Sequence, residues 1–172
     1  MKTALVCDWL TGMRGGERCL NAICHLFPEA DIFTLVHIPG NVSKSIESHK
    51  IITSYIQKMP VRNFRVLLPL FPHVIQQFDL SGYDFILSFS HCVAKGVKVP
   101  PKAFHICYCH TPMRYAWHMR DEYLRNSGYF KKHLAQIILN YLKNWDKKTA
   151  ASVNSFIANS KNVQKRIKQA YN

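Results

Sequence analysis

Short apolar runs alternate with amphipathic stretches along the whole chain. The runs predict strands over residues 3–7, 31–36, 49–53, 84–89, 103–109 and 155–158. Most of these runs are apolar at successive positions, which is typical of strands covered on both faces by helices. The alternation of such strands with helical patterns therefore predicts a parallel α/β sheet.

Three helical patterns lie between or after these strands. The first spans residues 17–26, follows a glycine-rich turn and ends before Pro28. The clearest one comes after Gly128, where apolar residues recur at helical spacing and predict one apolar face: Leu134, Ile137, Ile138, Tyr141, Leu142 and Trp145. A terminal helix carries Val163, Ile167 and Ala170. Because no repeat or internal linker interrupts the pattern, residues 1–172 are predicted to form one domain.

Composition and charge narrow the class of protein. With 48% hydrophobic residues in 172, the chain can build a substantial core. Its apolar runs fall short of the roughly 20 residues that span a bilayer, and its amino terminus is too short for a signal peptide, so we predict a cytoplasmic protein. The net charge of +13 indicates an anionic partner, namely nucleic acid, an acidic membrane surface or phosphates, or else solvated basic helix faces.

The six cysteines contain no CxxC pair. Without an export signal we expect reduced thiols. For Cys107 and Cys109 we predict buried structural side chains that point to opposite faces of their strand, and we predict no bound metal.

Candidate chemistry lies where the strands end, since ligands of open parallel sheets bind beyond the carboxyl ends of the strands. The Gly15-Gly16 turn follows the first strand and either admits a phosphate or is a structural turn that uses positive φ. His110 ends a later strand and is followed by residues suited to gripping a sugar, Arg114, Tyr115 and Trp117. A structural histidine is the alternative there.

Two further strand ends carry small polar residues. Ser90 and His91 end one strand, and Asn159 and Ser160 end the last. Each pair is also explained by capping of the next helix. We predict that all four strand ends converge on one edge of the sheet.

Several blocks of sequence resemble bacterial family 4 glycosyltransferases of the mannosyltransferase-like, surface-polysaccharide type. They are DWLTGMRGGE at residues 8–17, LSGYD at 80–84 with the nearby Ser88 and SH at 90–91, AKGV at 94–97, CYCHTPMRYAW at 107–117 and FIANS at 156–160. The blocks cover almost the whole chain in the family's order.

The resemblance implies a GT-B enzyme, with two Rossmann-like domains facing across a cleft and no bound metal. This chain would be the amino-terminal, acceptor-side domain, a Rossmann-like parallel sheet with helices on both faces. Transfer with retention of configuration from a nucleotide-activated hexose such as GDP-mannose is the expected reaction. The acceptor is expected to be a lipid-linked glycan or polysaccharide.

The resemblance also implies roles for residues. Gly15 and Gly16 match the pair that approaches the donor diphosphate, and His110 matches the histidine that faces the transferred sugar. The acceptor or the sugar is expected to contact a larger set: Asp8, Trp9, Ser90, His91, Arg114, Tyr115, Trp117, Asn159 and Ser160.

The chain departs from the family pattern in three ways. Cys7 stands where relatives usually carry histidine, and His118 stands where they often carry aspartate. The carboxyl-terminal domain with its two-glutamate motif is absent from these 172 residues. We therefore expect the chain alone to be inactive, and it would need that domain in cis or in trans.

A basic and apolar stretch precedes the fourth strand. Lys58, Arg62 and Arg65 flank apolar positions at 66–68 and 70–71. This mixture predicts either a face that contacts an anionic membrane or an ordinary core helix with a basic outer side. Its apolar residues could also cover the second domain.

Two other functions remain open at this point. One is a binding module that holds a glycan or a lipid phosphate without transferring anything. The other is nucleic-acid binding, which rests on charge alone; because no nucleic-acid motif is present and the aromatic residues cluster in one loop, we expect no nucleic-acid partner.

Overall fold

One six-stranded sheet forms the centre of the protein. The computed structural model describes residues 1–60, 63–117 and 129–171. The strands are β1 (Thr3–Cys7), β2 (Asp31–Thr34), β3 (Ile51–Thr53), β4 (Phe85–Ser90), β5 (Phe104–Cys109) and β6 (Ser155–Ala158). All neighbours pair in parallel, in the order β3-β2-β1-β4-β5-β6. This is the predicted α/β, Rossmann-like fold, and the order of strands reverses between β1 and β4.

Helices connect and cover the strands. They are α1 (Gly15–Cys24), α2 (Lys44–Glu47), α3 (Phe71–Ile75), α4 (Arg114–Trp117), α5 (Tyr129–Ala150) and α6 (Lys161–Tyr171). Three 3-10 segments add to them, at Tyr55–Lys58, Phe64–Leu70 and Ala94–Gly96. The predicted bounds of β1 and β6 are confirmed, whereas α1 begins at Gly15, two residues earlier than its apolar pattern indicates.

The two faces of the sheet build two apolar cores. Alternate residues of β1 point to opposite sides, so Ala4 and Val6 join the core beneath α3 and α5, while Leu5 joins the core beneath α1 and α2. Both cores are closed to water, because the strand residues facing them are buried. This double coverage explains the runs of successive apolar residues in the sequence.

The apolar face of α5 differs from the prediction. Its buried side is centred on Leu139, Leu142 and the fully buried Asp146. Ile138, Leu142 and Trp145 of the predicted face pack on the core, whereas Leu134, Ile137 and Tyr141 are 54%, 55% and 48% exposed, respectively, so the prediction is right for only half of that face. The helix is rotated toward Asp146, which the apolar pattern could not include. Within the ranges described above, no helix is long and apolar enough to cross a membrane.

The two cysteines of β5 correct another expectation. Both Cys107 and Cys109 are buried as predicted, but they lie on the same face of the strand, where they pack with Val163 of α6. Residues two apart in a strand share a face, so the expected opposite orientation was wrong. A hydrogen bond to Cys107, together with burial, raises the pKa of the Cys109 thiol, which keeps it protonated.

Candidate functional site

A cleft of about 780 Å³ opens at the carboxyl edge of the sheet. It lies beside the reversal of strand order between β1 and β4, which is where Rossmann-like sheets bind ligands. The ends of four strands and the starts of three helical segments contribute its walls. The lining residues central to its chemistry are Asp8, Trp9, Arg14, Gly15, Gly16, Glu17, Arg65, His91, His110, Arg114, Tyr115, Asn159 and Arg166.

Asp8 forms the floor of the cleft and is 1% exposed. Its carboxylate accepts hydrogen bonds from four consecutive backbone N–H groups, those of residues 91–94, at 2.6–2.9 Å. It also lies 2.9 Å from Nδ1 of His91. The side chain thereby joins the end of β1 to the loop after β4, and it contributes to the cleft by fixing that loop.

The Asp8–His91 pair shifts both titrations. Burial acts to raise the pKa of Asp8, but the neighbouring His91 and the backbone N–H groups outweigh it and lower that pKa. Burial acts to lower the pKa of His91, but the Asp8 carboxylate outweighs it and raises that pKa. The pair therefore favours a carboxylate and an imidazolium in contact.

Stability should depend on pH through this pair. Because the folded pKa of His91 lies above its ordinary value of 6.5, its contribution is fully present below pH 6.5 and is lost as pH rises through the folded pKa. We expect wild type to lose more unfolding free energy between pH 6 and pH 8 than His91→Gln, measured by urea denaturation.

Stopping at about pH 8 keeps this comparison below the ordinary thiol pKa, so that the buried cysteines contribute little. His49→Gln provides the control, since its ring bonds to the carbonyl oxygen of Ala30 rather than to a carboxylate. An equal pH dependence in wild type and His91→Gln would contradict the assigned ion pair.

Gly16 and His110 meet across the cleft. A Cβ added to Gly16 would lie 3.4 Å from Nε2 of His110, so a larger side chain there would displace the ring. Gly15 has open space around its Cβ position. Neither glycine has positive φ, which in the described residues occurs only at Gly40, so backbone conformation requires glycine at neither position, and a methyl group at Gly16 would just contact the His110 ring.

His110 presents a neutral imidazole. Its backbone N–H donates to the carbonyl oxygen of Ser90 at 3.0 Å, which fixes it at the end of β5. Burial, followed by the nearby positive charge of His91, lowers the pKa of its ring. Among the described atoms, Nε2 is buried and has no hydrogen-bond partner. His110 therefore has an unpaired ring nitrogen beside Gly16, which a hydroxyl or phosphate oxygen in the cleft would reach only after a shift of the ring.

Aromatic and cationic groups form the opposite wall. The ring of Trp9 packs edge-on against His91, with centroids 4.6 Å apart. The guanidinium of Arg65 lies over the same indole, 5.5 Å from its centroid. Stacked aromatic faces and planar guanidinium groups are suited to binding sugars and phosphates.

The cleft carries a strong positive charge. Four arginines from four separate segments line it: Arg14, Arg65, Arg114 and Arg166. Among the described residues its carboxylates are Asp8 and Glu17, and Glu17 accepts the backbone N–H of Arg14 at 3.0 Å. Since both carboxylates are engaged internally and the guanidinium groups stay protonated, the cleft attracts anions.

Most residues predicted from sequence converge here, but three do not line the cleft. Ser90 is buried at the end of β4. Ser160 accepts the backbone N–H of Val163 and caps α6. The indole of Trp117 donates to Asp146 at 2.8 Å. Asp8, Trp9, Gly15, Gly16, His91, His110, Arg114, Tyr115 and Asn159 line the cleft together.

Sequence reasoning missed several lining residues. Glu17 and Arg14 were available as a possible capping pair at the start of a helix, three residues apart. Arg65 was assigned either to a membrane face or to the basic side of a core helix, although it borders the cleft. Arg166 carried no local signal, because only the fold brings α6 to the cleft. Cys19 lines the cleft as well, and its Sγ lies 4.0 Å from the phenol oxygen of Tyr108.

The remaining predictions concern metal binding and the residues His118 and Arg62. No group of three or more His, Cys, Asp or Glu side chains that could hold a metal ion occurs in the described part of the chain. His118 and Arg62 lie outside the described residues.

No protein-family model, curated protein or solved structure matches the sequence of this chain.

Proposed function

We propose that this chain is the acceptor-side half of a GT-B glycosyltransferase that transfers a hexose from a nucleotide sugar. The observation that carries the proposal is the contact between Gly16 and His110 inside an arginine-lined cleft. It supports the roles implied by the motif resemblance, in which a glycine turn meets the donor diphosphate and a histidine meets the transferred sugar. The donor would be GDP-mannose or a related sugar nucleotide.

The chemistry of the cleft fits the two halves of such a donor. The backbone at Gly15 and Gly16, at the start of α1, leaves room for phosphate oxygens, and Arg14 lies beside it. The neutral Nε2 of His110 can bind a sugar hydroxyl. In the reaction, the bond between the anomeric carbon and the diphosphate oxygen breaks, and a bond to the acceptor hydroxyl oxygen forms. The hydroxyl proton leaves with the nucleoside diphosphate.

A transfer assay tests this proposal. The 172-residue protein and the full product of the reading frame that contains it would each be incubated with radiolabelled GDP-mannose and polyprenyl-linked glycan acceptors. We expect turnover by a longer product that includes a nucleotide-binding domain and negligible turnover by the 172-residue protein alone, because catalysis needs both sides of the cleft. Robust turnover by the 172-residue protein would contradict the half-enzyme assignment.

The second candidate is a non-catalytic module that binds a glycan or a lipid phosphate. The positive cleft favours it equally, since four arginines bind phosphate with or without a second domain. A reading frame that ends at Asn172, together with binding of phosphorylated glycans and no transfer, would favour this candidate.

We also propose that the rim of the cleft contacts an anionic membrane, at the inner face where lipid-linked acceptors would lie. The basic apolar rim consists of Lys58, Arg65, Val66 and Leu70, all exposed, and of these Arg65 lines the cleft. Leu67 and Leu68 pack against the core and Phe71 is buried, as expected for the core-helix alternative, so the proposed membrane contact is confined to the exposed residues. Val66 is 65% exposed beside Arg65, a pairing suited to a lipid headgroup region.

Vesicle binding should depend on this rim. In co-sedimentation with phosphatidylglycerol vesicles, we expect Lys58→Gln to weaken binding about fivefold, since one basic residue near an anionic surface is worth about 1 kcal/mol. Lys102→Gln is the matched control, because the exposed Lys102 precedes β5 at the opposite edge of the sheet. Equal losses for both variants would indicate attraction by net charge without a specific rim.

A further inference from the structure

A buried carboxylate outside the cleft, that of Asp146, joins several elements of the fold. Asp146 is 0% exposed in the middle of α5. Its Oδ2 accepts the indole N–H of Trp117 at 2.8 Å and the phenol O–H of Tyr171 at 3.0 Å. Its Oδ1 lies 3.0 Å from Nζ of Lys95. Three separate segments thus meet at one side chain.

Lys95 anchors this group from the loop after β4. The lysine is 1% exposed, and its ammonium also donates to the carbonyl oxygen of Asp146 at 2.6 Å and to the hydroxyl of Thr149 at 3.0 Å. The adjacent Gly96 packs so closely on Trp145 that no side chain fits there. The loop that begins at the Asp8 amides therefore ends in a fixed attachment to α5.

Trp117 and Tyr171, which donate hydrogen bonds to Asp146, are the last residues of two helices. Each of these helices carries an arginine that lines the cleft. Trp117 is the last residue of α4, which begins with Arg114. Tyr171 is the last residue of α6, which carries Arg166 one and a half turns earlier. Both arginines line the cleft, whereas neither Trp117 nor Tyr171 does. Arg114 and Arg166 thus lie on helices whose last residues both donate a hydrogen bond to Oδ2 of Asp146.

We infer that Asp146 is a positioning residue that sets the separation of Arg114 and Arg166, and hence the fit of the cleft to a phosphate-bearing ligand. The nature of that ligand rests on the proposed function. A buried ion pair contributes little net stability compared with apolar residues of the same volume. A carboxylate with two directional hydrogen bonds instead specifies orientation, which a purely apolar contact would leave less defined.

Two conservative variants test the inference. Tyr171→Phe and Trp117→Phe each remove one hydrogen bond to Asp146 and leave the Lys95 ion pair in place. We expect each to weaken binding of inorganic pyrophosphate, measured by isothermal titration calorimetry well below the unfolding temperature, by fivefold or more. Tyr141→Phe is the matched control, since that phenol is 48% exposed on the same helix, and it should bind as wild type does.

Tyr171→Phe provides the sharper comparison because it removes a single hydroxyl group, whereas Trp117→Phe also leaves a smaller ring. If both variants bind pyrophosphate as tightly as wild type, even with lowered unfolding temperatures, the role of Asp146 is purely structural and the inference is overturned. The same result follows if only Trp117→Phe loses affinity, since the smaller ring at position 117 would explain that loss without the hydrogen bond to Asp146.

A second measurement needs no ligand. Burial and, as a smaller effect, the charge of Arg114 act to lower the pKa of His91 against the stronger effect of Asp8. Movement of α4 away from His91 in Trp117→Phe should therefore raise the His91 pKa in an NMR titration. An unchanged His91 pKa would overturn the inference. Failure of the wild-type protein to bind pyrophosphate would instead count against the proposed function, and this titration would still decide the role of Asp146.

Discussion

Replacement of Asp8 by asparagine should destabilise the protein by about 3–5 kcal/mol, the range seen when one partner of a buried charged group is removed. The carboxylate accepts four backbone N–H groups and faces His91. An asparagine offers one acceptor oxygen, and its amide would point donors at donors. Urea denaturation followed by circular dichroism would measure the loss.

Asp79→Asn is the control for this variant. The Asp79 carboxylate also accepts a backbone N–H, from Ser81 at 3.0 Å, but it lies in an exposed turn. Water can replace that interaction, so the loss should stay below about 1 kcal/mol. Equal stability changes for Asp8→Asn and Asp79→Asn would show that the buried set of amides does not need a carboxylate.

The second large effect is expected at His110. In an enzyme that contains this chain, His110→Ala should lower turnover by about 10²–10³, the usual cost of removing one hydrogen bond to the reacting group. The reason is that the proposed function sets the transferred sugar against this ring, whose Nε2 is neutral and without a partner in the described residues. A radiochemical transfer assay would measure the effect, and thermal unfolding would show that folding is little changed.

The control for His110 is His25, at the carboxyl end of α1. His25 is exposed just after the last residue of that helix, and His25→Ala should leave both turnover and stability near wild type. Turnover of His110→Ala equal to that of wild type would remove His110 from the site, whatever the fold of the complete enzyme.

Much of the fold could be predicted from local pattern. Strands buried on both faces leave runs of apolar residues, so β1 was located to the residue. The edge strand β6 was also located to the residue, although it is half-exposed. Their carboxyl ends follow from chain direction, and this is why His91, His110 and Asn159 were expected at one edge. The strand order itself depends on tertiary packing, which no local pattern encodes.

The misplaced face of α5 has a physical cause, which is that polar residues can occupy a core. Asp146 sits in the buried face of α5 because Lys95, Trp117 and Tyr171 satisfy it, and an apolar pattern cannot anticipate partners so distant in sequence. The buried face was consequently assigned to the neighbouring stripe of the helix. Arg166 was missed for a related reason, since its role depends on how α6 packs and not on its neighbours.

The central position of β1 has a consequence for synthesis on the ribosome. β1 is translated first, yet it lies between β2 and β4. Its pairing with β2 needs the chain only to Thr34, whereas its other edge and the Asp8 carboxylate wait for residues 85–94. Until those residues leave the exit tunnel, the nascent chain carries an open, apolar strand edge that other chains can pair with. The floor of the cleft is thus completed only after residues 85–94 have left the exit tunnel.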